Sequence, residues 1–325
     1  MNNNSLKYII INWTPYCRRS TSLSNYFGAI SLYIHNFQFK NKKYAVIKYP
    51  IQFLRTLFIL IKLKPEVVIA VAPPVFCPGA AYIYCFLFSK KLIIDAHTGA
   101  VIDLKFYEIP LSKFLVRKSN LIIVTNEPLE NIIRSWGGAP FVLEDPPINR
   151  NLKKKKQSQD GLELLVVNTF STDEPIMEIL KATKKTPNIK YYITGKKKNA
   201  PLDVLKFAPS NVLFTDFIPD DEYWSLLDSC DAVICLTTRR HTLVCGGYEA
   251  LYSDKPLITS NFPVLKNYFC YGTIHVENTA EALVNAVEKI EKEKGILIAA
   301  IQKGKQIIEE NWHHRFDKLN TILST

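Results

Sequence analysis

At 325 residues the chain exceeds the usual size of one domain, so two are expected. A hydrophobic share of 47% with 22% charged residues excludes a disordered or low-complexity chain and suits one that buries a real core. The net charge of +11 is lopsided: residues 1–156 hold 22 Lys and Arg against 8 Asp and Glu, and the remainder holds 19 against 22. Two explanations of the basic half stay open. One is an anionic partner such as a membrane surface, a phosphorylated lipid or nucleic acid; the other is a lysine-rich solvated surface.

The seven cysteines are odd in number and irregularly spaced, with no C-x-x-C pair, which points to reduced thiols in a cytosolic protein rather than a disulfide or zinc framework. The polar start Met1-Asn-Asn-Asn-Ser leads straight into a strand and predicts no signal peptide. Val67–Phe88 is the longest apolar stretch, but Pro73, Pro74, Pro78 and Gly79 divide it, so no membrane-spanning helix is expected.

In chain order, Tyr8–Asn12 reads as a buried strand, Ser20–His35 as a helix and Tyr44–Ile47 as a strand. Ile51–Leu63 reads as a helix with Arg55 and Lys62 on its polar side. Glu66–Ala72, Lys91–Asp95, Leu121–Thr125 and Phe141–Leu143 follow as strands, with helices over Gly79–Phe88 and Leu129–Trp136. Asp145 to Gly161, with Pro146, Pro147 and the run Lys153–Lys156, reads as a linker.

The pattern then restarts. Strands are expected at Leu162–Val167, Ile189–Thr194, Val212–Phe214, Ala232–Leu236 and Pro256–Thr259. Helices are expected at Pro175–Lys184, Asp220–Ser229, from Gly247, at Thr279–Lys292 and at Ile296–Leu323. Near-continuous apolar strands between helices mean two open parallel α/β sheets. Such sheets bind ligands outside the carboxyl ends of their strands. The domains are expected at 1–150 and 161–300, with 301–325 as a terminal helix crossing back onto the first domain, Trp312 as its anchor.

The segment His241-Thr242 through Gly246-Gly247-Tyr248-Glu249-Ala250-Leu251 to Lys255-Pro256-Leu257-Ile258 carries the clearest motif. Two glycines before a helix let the backbone approach a ligand, the helix N-terminus offers N–H groups to phosphate, and an acid in the first turn can hold a ribose diol. By itself such a turn with an acid is common. The stretch resembles the donor site of glycosyltransferase family 4 and related GT-B enzymes. That resemblance implies two Rossmann-like parallel-sheet domains facing an interdomain cleft, with Glu249 on the nucleotide ribose. The family often has a second Glu eight positions earlier, contacting the donor sugar; here that position is His241. Gly195-Lys196 resembles the glycine and basic residue at the donor diphosphate, and Val212–Tyr223, around Phe217, resembles the segment lining the base pocket. The polar loop Asn168-Thr169 to Pro175 resembles its counterpart in β-mannosyltransferases that build lipid-linked oligosaccharides.

In the first half, Asp95-Ala-His97-Thr98-Gly99 follows a strand directly. His97 is a candidate general base, with Asp95 either orienting it or acting itself, and the motif resembles the Asp-x-His element of bacterial polysaccharide glycosyltransferases. Arg18 and Arg19 open a helix and are expected to hold an acceptor or leaving-group phosphate; the alternative is two exposed arginines on a helix shoulder. The rigid loop Ala72–Pro78 and the apolar residues Phe53, Leu54, Leu57, Phe58 and Ile61 fit either a membrane contact or core.

The expectation is therefore transfer of a hexose from a UDP- or GDP-sugar to a glycan or polyprenyl-linked acceptor in cell-surface polysaccharide synthesis. It is expected in the cytoplasm or at the inner face of the membrane, with no cofactor, metal or nucleic-acid partner. Asp220-Asp221 opens a helix rather than ending a strand, unlike the Asp-x-Asp of metal-dependent transferases. Two rivals stand beside this reading. One is a sugar-nucleotide epimerase on the same fold. The other is a non-catalytic partner subunit, suggested by His241.

Overall fold

The structure is a computed structural model that describes residues 7–36, 44–149 and 161–324. The polar start of the chain, the lysine run and most of the expected linker lie outside the described residues. The chain divides into two compact units, residues 1–146 with 315–325, and residues 147–314.

The first unit is built on strands β1 (Tyr8–Asn12), β2 (Ile30–Tyr33), β3 (Val67–Ala72), β4 (Lys91–Ala96), β5 (Leu121–Val124) and β6 (Pro140–Val142). Their order is β2-β1-β3-β4-β5-β6, all parallel. Its helices are α1 (Arg18–Phe27), α2 (Ala45–Leu63), α3 (Phe76–Leu87), α4 (Ile109–Lys118) and α5 (Glu127–Ser135). Every residue of β1 and β3 is buried, as expected for central strands covered on both faces, whereas the edge strand β2 is only half-buried.

Two sequence expectations fail here. The helix expected over Ser20–His35 stops at Phe27, where Gly28 takes a left-handed conformation (φ +60°), and Ile30–Tyr33 turns into β2. Tyr44–Ile47 is not a strand, because its Ala45–Ile47 forms the first turn of α2. The structure divides the apolar residues of α2: Phe53 and Leu57 pack against the core, whereas Leu54, Phe58 and Ile61 are exposed. The fully buried residues of the helix are Lys48, Gln52, Thr56 and Leu60, with Tyr49, Ile59 and Leu63 also packed on the core, and a second apolar stripe faces outward. Gln52 Nε2 donates to Ile34 O (2.7 Å), and Thr56 Oγ1 accepts from Trp13 Nε1 (3.0 Å). The inward face thus holds the chain just beyond β1 and β2 through polar contacts.

The second unit contains β7 (Glu163–Val166), β8 (Lys190–Thr194), β9 (Val212–Asp216), β10 (Ala232–Cys235), β11 (Leu257–Ser260) and β12 (Thr273–Val276). They are parallel, in the order β12-β11-β10-β7-β8-β9. Around them lie α6 (Ile176–Lys185), α7 (Leu202–Phe207), α8 (Asp220–Ser229), α9 (Cys245–Tyr252) and α10 (Pro263–Tyr268). The two helices expected at the end are one, α11 (Ala280–Ser324), continuous through Gly295. Its last residues belong to the first unit, where Phe316 packs on Phe27 (ring centroids 4.9 Å apart) and Arg315 pairs with Glu144. Trp312 is buried as well. None of the seven cysteines, all of them among the described residues, is in a disulfide.

Candidate functional site

In each sheet the strand order reverses at one point, between β1 and β3 in the first unit and between β7 and β10 in the second. The candidate residues gather at the carboxyl ends of these and adjacent strands, where open α/β sheets bind ligands.

In the first unit, Asp95 ends the apolar run of β4 and is almost wholly buried. Arg19, in the first turn of α1, is buried against it. Nη2 lies 3.0 Å from Asp95 Oδ1, and Nε donates to both carboxylate oxygens at 3.1 Å. The same guanidinium donates to Asp145 Oδ1 (2.8 Å) and Leu143 O (3.0 Å). Burial alone would raise the Asp95 carboxyl; the Arg19 charge and then His97 outweigh it and hold the group well below the usual carboxylate range. Burial would likewise lower Arg19, but Asp95 and Asp145 reverse the effect and hold it above its ordinary value.

This corrects two expectations. Arg19 is turned inward and committed to two carboxylates, so it is not a surface phosphate ligand. Asp95 is ion-paired with Arg19 and has almost no exposed surface, which places it to orient a neighbouring group rather than to meet an acceptor itself. Arg18 remains exposed. His97 follows β4, is 36% exposed, and places Nε2 3.5 Å from Asp95 Oδ2. Its backbone N–H donates to Ala72 O at the end of β3 (3.0 Å). The buried carboxylate faces the His97 ring, whose Nε2 is enclosed and has no closer polar partner among the described residues. Nearby, the Asn12 side chain shapes the loop after β1, donating to Ser20 Oγ (3.0 Å) and accepting from Thr14 Oγ1 (2.8 Å).

In the second unit, α9 starts at Cys245, so Glu249 is its fifth residue and lies beyond the first turn where it was expected. It is buried and accepts a short hydrogen bond from Tyr223 Oη of α8. Gly246 and Gly247 are packing residues. A Cβ on Gly246 would stand 2.8 Å from both Val167 Cβ and Cys235 Sγ, at the ends of β7 and β10. A Cβ on Gly247 would stand 2.6 Å from the Phe269 ring, and its N–H already donates to Val244 O (3.0 Å). The glycines thus seat the N-terminus of α9 directly on the switch point, a closer approach than any side chain allows.

The loops around this point are tied together. Thr194 Oγ1 accepts from Asn168 N (2.9 Å), and Gly195 (φ +106°) leaves its would-be Cβ 2.7 Å from Asn168 O. Glu174 accepts from Thr169 N (2.8 Å), Thr169 Oγ1 (3.0 Å) and Ser171 N (2.9 Å). Thr169 itself is exposed. Asp173 accepts from Thr237 Oγ1 (3.0 Å) and lies 3.6 Å from Arg239 Nε, joining the loops after β7 and β10. Burial would raise the Asp173 carboxyl, but hydrogen bonds from Ser171 and Thr237, with the Arg239 charge, lower it overall. Lys196 and Phe217 meet, with Nζ 4.6 Å from the ring centroid; both are exposed at the ends of β8 and β9. His241 and Thr242 are half-buried in the loop leading to α9, and Thr242 Oγ1 is enclosed without a hydrogen-bond partner among the described residues.

Sequence reasoning missed Tyr223 as the partner of Glu249. It named the loop that holds Asp173 but not the ties of Asp173 to Thr237 and Arg239; the run Thr237-Thr238-Arg239-Arg240 after an apolar strand was the available signal. Among the described residues, no three His, Cys, Asp or Glu side chains cluster as a metal site requires.

The second unit coincides with a known family. Residues 148–309 match the family model described as glycosyl transferases group 1. The chain is a glycosyltransferase. Three solved structures resemble the transferase along nearly its whole length. Sucrose-phosphate synthase from Thermosynechococcus elongatus is 13% identical with a TM-score of 0.77, covering 97% of this chain and 98% of its own. HepE from Anabaena, solved with UDP and glucose, is 11% identical (TM-score 0.71), covering 98% of this chain and 100% of its own. A glycosyltransferase from Rickettsia africae is 13% identical (TM-score 0.71), covering 98% of each chain. At such identities the likeness establishes the fold, which is GT-B. No curated protein sequence matches the transferase significantly.

Proposed function

We propose that the transferase moves a hexosyl group from a UDP- or GDP-sugar to an acceptor hydroxyl on a glycan or polyprenyl-linked carrier, in cell-surface polysaccharide synthesis. The observation that carries the donor side is Glu249, a buried carboxylate on a helix seated at the switch point of the second sheet. It would accept both ribose hydroxyls once Tyr223 yields its place. Phe217 would flank the base. Lys196 and the N-terminus of α9 would meet the charge of the leaving diphosphate without a metal, and Thr242 Oγ1 and His241 would face the donor sugar. HepE, with the same fold, has been solved with UDP-glucose, which supports a uridine nucleotide.

On the acceptor side, Asp95, held ionised by Arg19, would fix the imidazole of His97 through Nε2 and leave Nδ1 to take the acceptor proton. Arg18 would meet a phosphate of the acceptor. The basic N-terminal half fits contact with an anionic membrane at the cytoplasmic face, where a lipid-linked acceptor would reside.

The test is thermal shift with UDP-, GDP-, ADP- and CMP-sugars on the wild type and Glu249→Ala. Stabilisation by one nucleotide class, lost in the variant, is expected. No response to any nucleotide would sink the reading and favour a non-catalytic subunit; turnover of a donor with no acceptor would favour an epimerase.

A further inference from the structure

Helix α2 is apolar nearly all round, on the side that meets the core and on the side that faces outward. At 100° per residue, Val46, Ile47, Pro50, Ile51, Leu54, Phe58 and Ile61 fall on one face, opposite Lys48, Gln52, Thr56 and Leu60. A helix covering a core in water turns its apolar face inward. Here the inward face already carries Tyr49, Ile59, Leu60 and Leu63 beside Lys48, Gln52 and Thr56, yet the outward face is apolar as well and exposes Val46 (82%), Leu54 (67%) and Phe58 (68%). The neighbouring α3 adds exposed Phe86 and Leu87. An apolar surface of this extent marks an interaction site.

Charge identifies the occupant. Arg55 and Lys62, seven residues apart, share one border of the apolar stripe, and Lys64 caps the helix. Residues 1–94 contain twelve Lys and Arg and a single acidic residue, Glu66. A second copy of the chain seated on this face would bring like charge onto like charge, whereas an anionic lipid surface complements it. No described helix is long and apolar enough to cross a membrane, so α2 would lie in the interface rather than span it.

We infer that the outward face of α2, extended by α3, is the surface on which the transferase docks on anionic bilayers. This rests on the membrane contact in the function proposed above and assigns it to named residues. It also ties docking to the acceptor side: Thr56 and Gln52, on the inward face of the same helix, hold Trp13 and Ile34 just beyond β1 and β2. A lipid-borne acceptor would thus be presented next to the loops of the first sheet's carboxyl edge.

The experiment is flotation of the full chain with vesicles of phosphatidylcholine alone and with phosphatidylglycerol. It compares the wild type, Leu54→Glu/Phe58→Glu, Phe86→Glu, and Leu202→Glu, an exposed leucine of the second unit. Sedimentation equilibrium and UDP-sugar thermal shift are run on each. The wild type and Leu202→Glu are expected to float with anionic vesicles, and the double variant to bind roughly tenfold less or weaker. Phe86→Glu should weaken binding in the same direction, and keeps the test open if the double variant fails to fold. Should the wild type float and both α2 and α3 variants float equally well, the face is wrong while membrane contact stands. Should the wild type not float on any vesicle, both fall, leaving the donor-site reading to be judged by the thermal shift alone. A dimer that the double variant splits, with flotation unchanged, would reassign the face to a contact between copies.

Discussion

Arg19 and Asp95 form a buried ion pair, with Nη2 3.0 Å from Oδ1 and both side chains almost wholly enclosed. Removing one partner strands the other charge out of water. Asp95→Ala or Arg19→Ala is therefore expected to cost about 3–5 kcal/mol of stability. Denaturant unfolding of the first unit measures it.

The same pair sets an acid limit. The folded carboxyl of Asp95 lies below its unfolded value of about 3.9, so its stabilisation is fully present above that value and is lost as pH falls below it. Acid unfolding monitored by circular dichroism should begin at higher pH in Asp95→Asn than in the wild type, because the variant starts without that contribution.

His97→Ala should lower turnover about 10²–10⁴-fold. Its donor-induced thermal shift should match that of the wild type, since His97 belongs to the first unit and Glu249 to the second. Loss of donor binding together with turnover would assign His97 to another role.

Tyr223 and Glu249 divide differently. Glu249→Gln should weaken nucleotide-sugar binding about tenfold or more, the scale of a hydrogen bond to a charged group. Tyr223→Phe removes a competitor for the same oxygen while keeping the ring, so donor binding is expected to hold or tighten. Isothermal titration with the preferred nucleotide distinguishes the two.

Gly246→Ala is expected to destabilise the second unit by about 1–3 kcal/mol, because the added methyl meets Val167 and Cys235 where the backbone leaves no slack. Gly195→Ala adds backbone strain to a similar clash with Asn168 O. Thermal unfolding without ligand separates these effects from donor binding.

The strands buried on both faces were legible because a parallel sheet under helices demands unbroken apolar runs, as in β1, β3 and β10. The half-buried edge strands β2 and β12 carry no such run: Ile30–Tyr33 blended into a helical pattern and Thr273–Val276 went unnoticed. Glu249, Lys196, Phe217 and His97 could be named as candidates because chemistry concentrates in the loops and helix starts that follow strand ends, and strand ends can be read. The fate of Arg19 was not readable, since its partners Asp95 and Asp145 stand 76 and 126 residues away.

By itself, then, the sequence determined two parallel α/β sheets and which loops could carry chemistry, because periodicity and strand length are local properties. Only the tertiary structure decided which groups remain available. It committed Arg19 to two carboxylates, and it made Gly246 a contact between helix and strands. It also decided which of the apolar residues of α2 are buried, placing Gln52 and Thr56 inward beside Ile59 and Leu60, where Trp13 and the Ile34 carbonyl find hydrogen-bond partners, and leaving Leu54 and Phe58 outside. Periodicity shows that a helix has two faces; which face is buried depends on what the rest of the chain presents to it.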